Sequence, residues 1–143
     1  MSTRGIRNNN PANIIRGSLW RGMRVIQTDK KFVQFTSMTW GVRALIYLLR
    51  VYVTKHKLYS IRQIISRWAP PEDNNNTEGY IQFCLERIAY VFDADQPLLS
   101  PAEFDSVEGT GSWKLYYLCK AMCQIESKYE LTYSTFHDAL LRL

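Results

Sequence analysis

Acidic residues are nearly missing from the first half of this sequence: residues 1–71 hold thirteen Lys or Arg and a single acid, Asp29. Residues 72–143 reverse the balance, with five Lys or Arg against twelve Asp or Glu, so +12 and −7 combine to the net +5. A half so basic either attracts a polyanion or docks in part on the acidic half. Histidine is scarce, and His56 and His137 stand far apart with no Ser-His-Asp order around them. Only seven glycines occur and none builds a phosphate-cradling loop, which weakens the nucleotide-binding reading. Cys84, Cys119 and Cys123 are odd in number and lack zinc spacing, which argues against a disulfide framework and a structural metal. Neither metal nor cofactor is expected. No run reaches the roughly eighteen apolar residues of a membrane span. The stretch Ala44 to Val53 is interrupted by Arg50, and the opening residues have no apolar signal region, which argues against Sec export.

What is present points to a folded helical body. Hydrophobic residues make up 46% and aromatics 13%, too many for a disordered chain. At 143 residues the simplest reading is one domain, 1–143, with the Asn/Arg-rich loop 4–22 packed against helices. Val42, Leu45, Ile46, Leu49 and Val53 recur at helical spacing and predict a helix from Trp40 to His56, capped by Thr36, Ser37 or Thr39. Ser60 caps a second helix, Ile61 to Trp68, stopped by Ala69-Pro70-Pro71. A third runs from Asn76 or Thr77 to about Val91, and Ser100-Pro101-Ala102-Glu103 starts a short one. Gly109-Thr110-Gly111 reads as a break before a helix from Ser112 to about Ser127, and Ser134 to Leu141 forms the last. Met23 to Ile26 and Phe32 to Phe35 are candidate strands. The fold class is therefore mostly α (α+β), a compact helical domain with at most a small β-hairpin.

One stretch escapes both periodicities: Arg4-Gly5-Ile6-Arg7-Asn8-Asn9-Asn10-Pro11-Ala12-Asn13-Ile14-Ile15-Arg16, closed by Trp20-Arg21-Gly22. Each asparagine amide offers two donors and an acceptor, enough to tie down a loop or to meet a polar ligand. Two readings follow: an ordered loop whose amides cap nearby backbone, or a polar wall for a sugar-like ligand built by Asn9, Asn10 and Asn13. Trp20 and Tyr80, beside polar loops, are the rings expected to stack on sugar faces. Trp40 and Trp68 sit in helical registers that place them in a core.

The opening string resembles a family of small bacteriophage and prophage proteins described as virion structural or lysozyme-like. The resemblance continues through Phe32 to Phe35, Trp40-Gly41-Val42-Arg43-Ala44, Ile61 to Ile65, Arg67-Trp68-Ala69-Pro70-Pro71, Asn74 to Thr77 and Tyr80-Ile81. It covers roughly the first ninety residues and, more weakly, the helix carrying Ala121-Met122 and Glu126. It implies a lysozyme-like fold and peptidoglycan glycan strands as substrate.

Glu126 is the expected catalytic residue. It ends an apolar helix in Glu126-Ser127-Lys128-Tyr129, similar to the short Glu-Ser-x-aromatic string of lytic transglycosylases and related lysozymes. An acid among Ile125, Tyr129 and aromatics is partly desolvated, which suits a proton donor to a glycosidic oxygen. Its bland alternative is a helix-end acid paired with Lys128 or Lys120. In bacterial glucosaminidases of the lysozyme-like group the acid precedes the Asn-rich stretch, whereas here it follows, so the resemblance implies a circular permutation. Only one acid has a suitable setting, which favours a single-acid mechanism assisted by the substrate's own acetamido or hydroxyl group. A non-catalytic virion or wall-binding module is the main alternative. Nucleic-acid binding through Arg4, Arg7, Arg16, Arg21 and Arg24 lacks any recognition motif. The expected setting is a protein made in the cytoplasm, then carried with other virion proteins or released to the wall by lysis.

Overall fold

The structure, a computed structural model, describes residues 2–89, 98–105 and 113–143. Its helices are α1 (Arg4–Arg7), α2 (Met38–Thr54), α3 (Ile61–Trp68), α4 (Thr77–Ala89), α5 (Trp113–Ser127) and α6 (Tyr133–Leu141), with 3₁₀ turns at Pro71–Asp73 and Pro101–Phe104. The chain divides into two compact units, one of Met1–Leu48 with Met122–Leu143 and one of Leu49–Ala121. The predicted break at Gly109-Thr110-Gly111, the Ser112 cap and the Val91 helix end lie outside the described residues.

In the first unit the expected hairpin reduces to isolated antiparallel bridges, Ile15 with Phe32 and Met23 with Phe35. The segment 31–36 is held from both sides. Val33 N donates to Ile14 O at 3.0 Å and Arg16 N to Lys31 O at 2.8 Å on one side. On the other, Arg24 N donates to Gln34 O at 2.9 Å and Thr36 N to Gly22 O at 2.8 Å. Val33, Gln34 and Phe35 are all buried, so the alternation of a half-exposed strand is absent. The helix α1 was not foreseen: Thr3 caps it through Ile6 N, and four residues are too few to show a period.

Ser37 Oγ accepts from Trp40 N at the start of α2, which begins two residues earlier than the apolar periodicity suggests. Val42, Leu45 and Ile46 are fully buried on its inner side. Thr132 caps α6, whose Phe136, Ala139 and Leu140 are buried together with Leu131.

The second unit is built on the pair α3 and α4 with the adjoining turns of α2 and α5. Ser60 and Gln63 form a capping box at the start of α3, satisfying two donors reciprocally. The high amphipathicity of α3 comes from Ile61, Ile64 and Ile65, all buried. Arg62 reaches Glu78 on α4 with two bonds of 2.7 and 2.8 Å; both side chains are largely exposed, so the pair registers the helices more than it stabilises them. Burial pushes the Cys84 thiol up to about 12, which makes it a small core residue and no nucleophile at neutral pH.

Ile64 is fully buried in this second core. Replacement by Ala is expected to cost roughly 2–5 kcal/mol through lost transfer energy and the cavity left behind. Urea unfolding followed by far-UV circular dichroism measures it, and a cost below about 1 kcal/mol would mean the site collapses freely.

Candidate functional site

The asparagine string folds as a network of side-chain-to-backbone bonds. Asn10 is fully buried. Its Nδ2 donates to Ile14 O and Val33 O, both at 2.9 Å, and its Oδ1 accepts from Ile14 N at 2.9 Å. Asn9 donates to Phe35 O at 3.2 Å. Asn9 and Asn13 take left-handed φ values of 51° and 54°, a region asparagine tolerates better than other side-chain-bearing residues. Close approach of α2 depends on Gly41, where a Cβ would run into the main-chain carbonyl of Asn9.

The lone acid of the basic half sits at the centre of the same network. The Asp29 carboxylate accepts from Arg4 Nε and Nη2 at 2.7 Å, from Asn8 Nδ2 at 2.9 Å, and from the main-chain N–H groups of Lys31 and Phe32 at 2.9 Å. The Arg4 guanidinium first, then the Phe32 N–H and the Asn8 amide, hold this carboxyl well below the usual carboxylate range. Asn8 is buried, and its Oδ1 accepts from Gln34 Nε2 at 3.0 Å, which joins the acid to the buried centre of segment 31–36.

The C-terminus of α5 is tied to the opening segment. Asn13 Nδ2 donates to Glu126 O at 2.9 Å, and Thr3 Oγ1 donates to Ser127 O at 2.6 Å. Lys128 N donates back to Gln124 O at 3.0 Å with Lys128 at φ 53°, the five-to-one αL turn that closes a helix end, made here without glycine, and Tyr129 N reaches Cys123 O at 3.2 Å. Side chains thus satisfy carbonyls that every helix end leaves open. Glu126 is half-buried at this corner, and burial foremost and then its charge raise the Cys123 thiol one turn earlier. Ser127 Oγ and Asn13 Oδ1 flank it, both buried without a hydrogen-bond partner among the described residues. Gly5 leaves Ser127 its space, since a Cβ there would overlap the hydroxyl.

The structure therefore brings Glu126 and Asn13 into contact and places Asn9 and Asn10 in the same unit, with the Asn10 amide engaged by backbone. Trp20, half-buried, lies in this unit too, edge-on to Tyr47 at 5.6 Å. Its Nε1 is buried without a hydrogen-bond partner among the described residues. Tyr80 belongs to the second unit, on α4, where it is 7% exposed and offers little ring surface. Trp40 and Trp68, expected in a core, are half-buried; Arg21 and Arg142 both stack near Trp40, and Tyr52 meets Trp68 edge-on. Thr3 was missed, and Gly5 and Ser127, though part of the quoted strings, were given no role of their own. The Thr3 role has no local signature, whereas the one acid among thirteen bases was a visible signal for Asp29.

Two outcomes follow. Asn10→Ala leaves three backbone groups without their amide partner, so unfolding free energy should fall by about 3 kcal/mol or more, read from the urea midpoint. The second concerns pH. Because Asp29 has a folded value below its ordinary 3.8, its stabilisation is present above that value and lost as pH falls through and beneath it. Wild type should therefore lose more stability than Asp29→Asn between about pH 5 and about pH 3, whereas parallel curves would mean the acid does not carry the loop.

No protein-family model matches this chain. Protein P5 of Pseudoalteromonas phage PM2 is 37% identical to it over 121 residues, covering 78% of this chain and 75% of that protein. Identity at that level over most of both chains carries the phage connection that the Arg-Gly-Ile-Arg-Asn-Asn-Asn opening suggested, and the protein belongs to the family of phage Protein P5.

Proposed function

We propose that this phage-family protein cleaves the glycan strands of peptidoglycan, with Glu126 as the acid. The observation that carries the reading is the 2.9 Å bond from Asn13 Nδ2 to Glu126 O. It joins the two separate motifs that the sequence singled out, at one corner of one unit. Glu126 is half-exposed there, and the bonds from Asn13 and Thr3 to the carbonyls of this helix end hold the backbone from which its carboxyl extends. In the reaction its proton passes to the glycosidic oxygen as the C–O bond breaks. A hydroxyl of the substrate closes on the anomeric carbon to leave an anhydro sugar, or water does so to leave a reducing end. Asn9 and Trp20 complete the sugar-facing side of this reading, Asn10 frames it, and no cofactor is required. The basic residues of the first half favour approach to an anionic wall. A phage product needs only a virion or host lysis to reach that wall.

A second reading is a non-catalytic virion or wall-binding module, and one observation favours it. The amides of Asn8, Asn9 and Asn10 are committed to Asp29 and to main-chain carbonyls, which is how a structural loop uses them. Fold alone does not decide between the two.

Purified protein and its Glu126→Gln variant, incubated with peptidoglycan sacculi and read by mass spectrometry of the released fragments, separate these readings. Loss of at least about a hundredfold in release rate is expected for the variant, the usual contribution of a positioned acid. Anhydro-muropeptides identify a transglycosylase and reducing ends a hydrolase. Equal release by both proteins removes Glu126 from the chemistry, and intact sacculi with both move the assignment to the binding module.

A further inference from the structure

The four most exposed large apolar side chains among the described residues lie within one short stretch of the first unit. They are Ile15 at 62%, Leu19 at 96%, Val25 at 101% and Ile26 at 76% exposure. A single exposed leucine needs no explanation, but such a concentration marks an interaction surface. Interleaved with them are Arg16, Arg21, Arg24, Lys30 and Lys31. The only acid of the stretch, Asp29, is already paired with Arg4. The three arginines donate to main-chain carbonyls: Arg16 to Asp29, Arg21 to Arg142, and Arg24 to Phe35 and Arg7. Their positive charge is therefore left uncompensated by those bonds.

We propose that the segment 15–31 seats the protein on an anionic phospholipid surface, with Leu19, Val25 and Ile26 entering the acyl boundary and the cations lying against the headgroups. The loop is built to hold those side chains out. Gln27 Nε2 donates to Arg24 O at 2.9 Å and to Gln34 O at 2.8 Å, while Gln34 N donates to Gln27 Oε1 at 2.7 Å. Gln34 Oε1 accepts from Thr28 N at 2.6 Å. Val25 and Ile26 thus project from a bend closed at its base, and little ordering remains to be done on docking. Exposed aliphatics beside exposed cations are the composition of an interfacial anchor. A nucleic acid would need stacking rings, and the rings of this region are turned inward: Trp20 meets Tyr47 edge-on and Phe32 lies under Arg4 at 4.7 Å. No described helix is long and apolar enough to cross a membrane, so the contact is with the surface alone.

Co-sedimentation of the full chain with vesicles of phosphatidylcholine and phosphatidylglycerol in equal parts, against phosphatidylcholine alone, tests this at near-physiological salt. Binding to the anionic vesicles at least about tenfold tighter is expected. Two variants divide the contributions: Leu19→Ser/Val25→Ser/Ile26→Ser and Arg16→Gln/Lys30→Gln/Lys31→Gln. Each should lose about tenfold or more while keeping the wild-type melting temperature, because the apolar trio is exposed and the basic trio contributes only surface contacts. Wild-type protein left in the supernatant overturns the proposal. An apolar variant that binds as well as wild type also overturns it, since adsorption would then be charge alone. Duplex DNA bound equally by wild type and the apolar variant, with vesicles ignored, would replace the lipid surface by nucleic acid.

Discussion

Backbone polar groups must be paired when they are buried, and in residues 8–37 no helix and only isolated bridges and single main-chain bonds are there to pair them. The side-chain amide of Asn10 does this work at the centre, meeting an N–H and two carbonyls with no exposed surface of its own. Around it Gln27, Gln34 and Asp29 repeat the same logic, and Asn8 links Asp29 to Gln34. An amide carries donor and acceptor on one rigid plane, so it can substitute for a peptide group where the chain must turn without repeating. That substitution lets a loop of this length keep one conformation, and the position of every other feature in the first unit follows from it, including the hold on the C-terminus of α5.

Much of the helical architecture was legible because it rests on local physics. Ser60 before Ile61 and the stop at Pro70 bracket α3 by capping and by lost donors, and both boundaries match the structure. Apolar spacing from Val42 to Val53 placed the buried side of α2. The hairpin was not legible in its true form. Phe32 to Phe35 pairs at isolated bridges on both sides and hides Val33, Gln34 and Phe35 together, a pattern set by partners distant in sequence. The Thr3 bond to Ser127 was hidden for the same reason, since a contact across most of the chain leaves no local spacing, whereas α1 is simply too short to show a period.

Around the candidate site the sequence supplied the participants and withheld their connection. Glu126 stood out as an acid on an apolar helix, and the asparagines as a costly string. Only the fold shows Asn13 bound to the main chain of Glu126, with Ser127 Oγ and Asn13 Oδ1 buried beside it. The Asn-rich stretch and the Glu-Ser motif, which stand in reversed order relative to the lysozyme-like pattern, share one unit here.

That unit is discontinuous: it needs residues up to Leu48 and then waits for those after Met122, while Leu49–Ala121 form an uninterrupted unit between them. On a ribosome, the intervening unit has its whole sequence available before the last helix exists. The contacts of Thr3 and Asn13 with Ser127 and Glu126 close loops of more than a hundred residues, which makes them late and entropically demanding events. The corner bearing Glu126 is thus assembled only after the intervening residues 49–121 have been made. A nascent chain lacking the residues after Met122 would carry the asparagine string without the helix end that Asn13 and Thr3 hold.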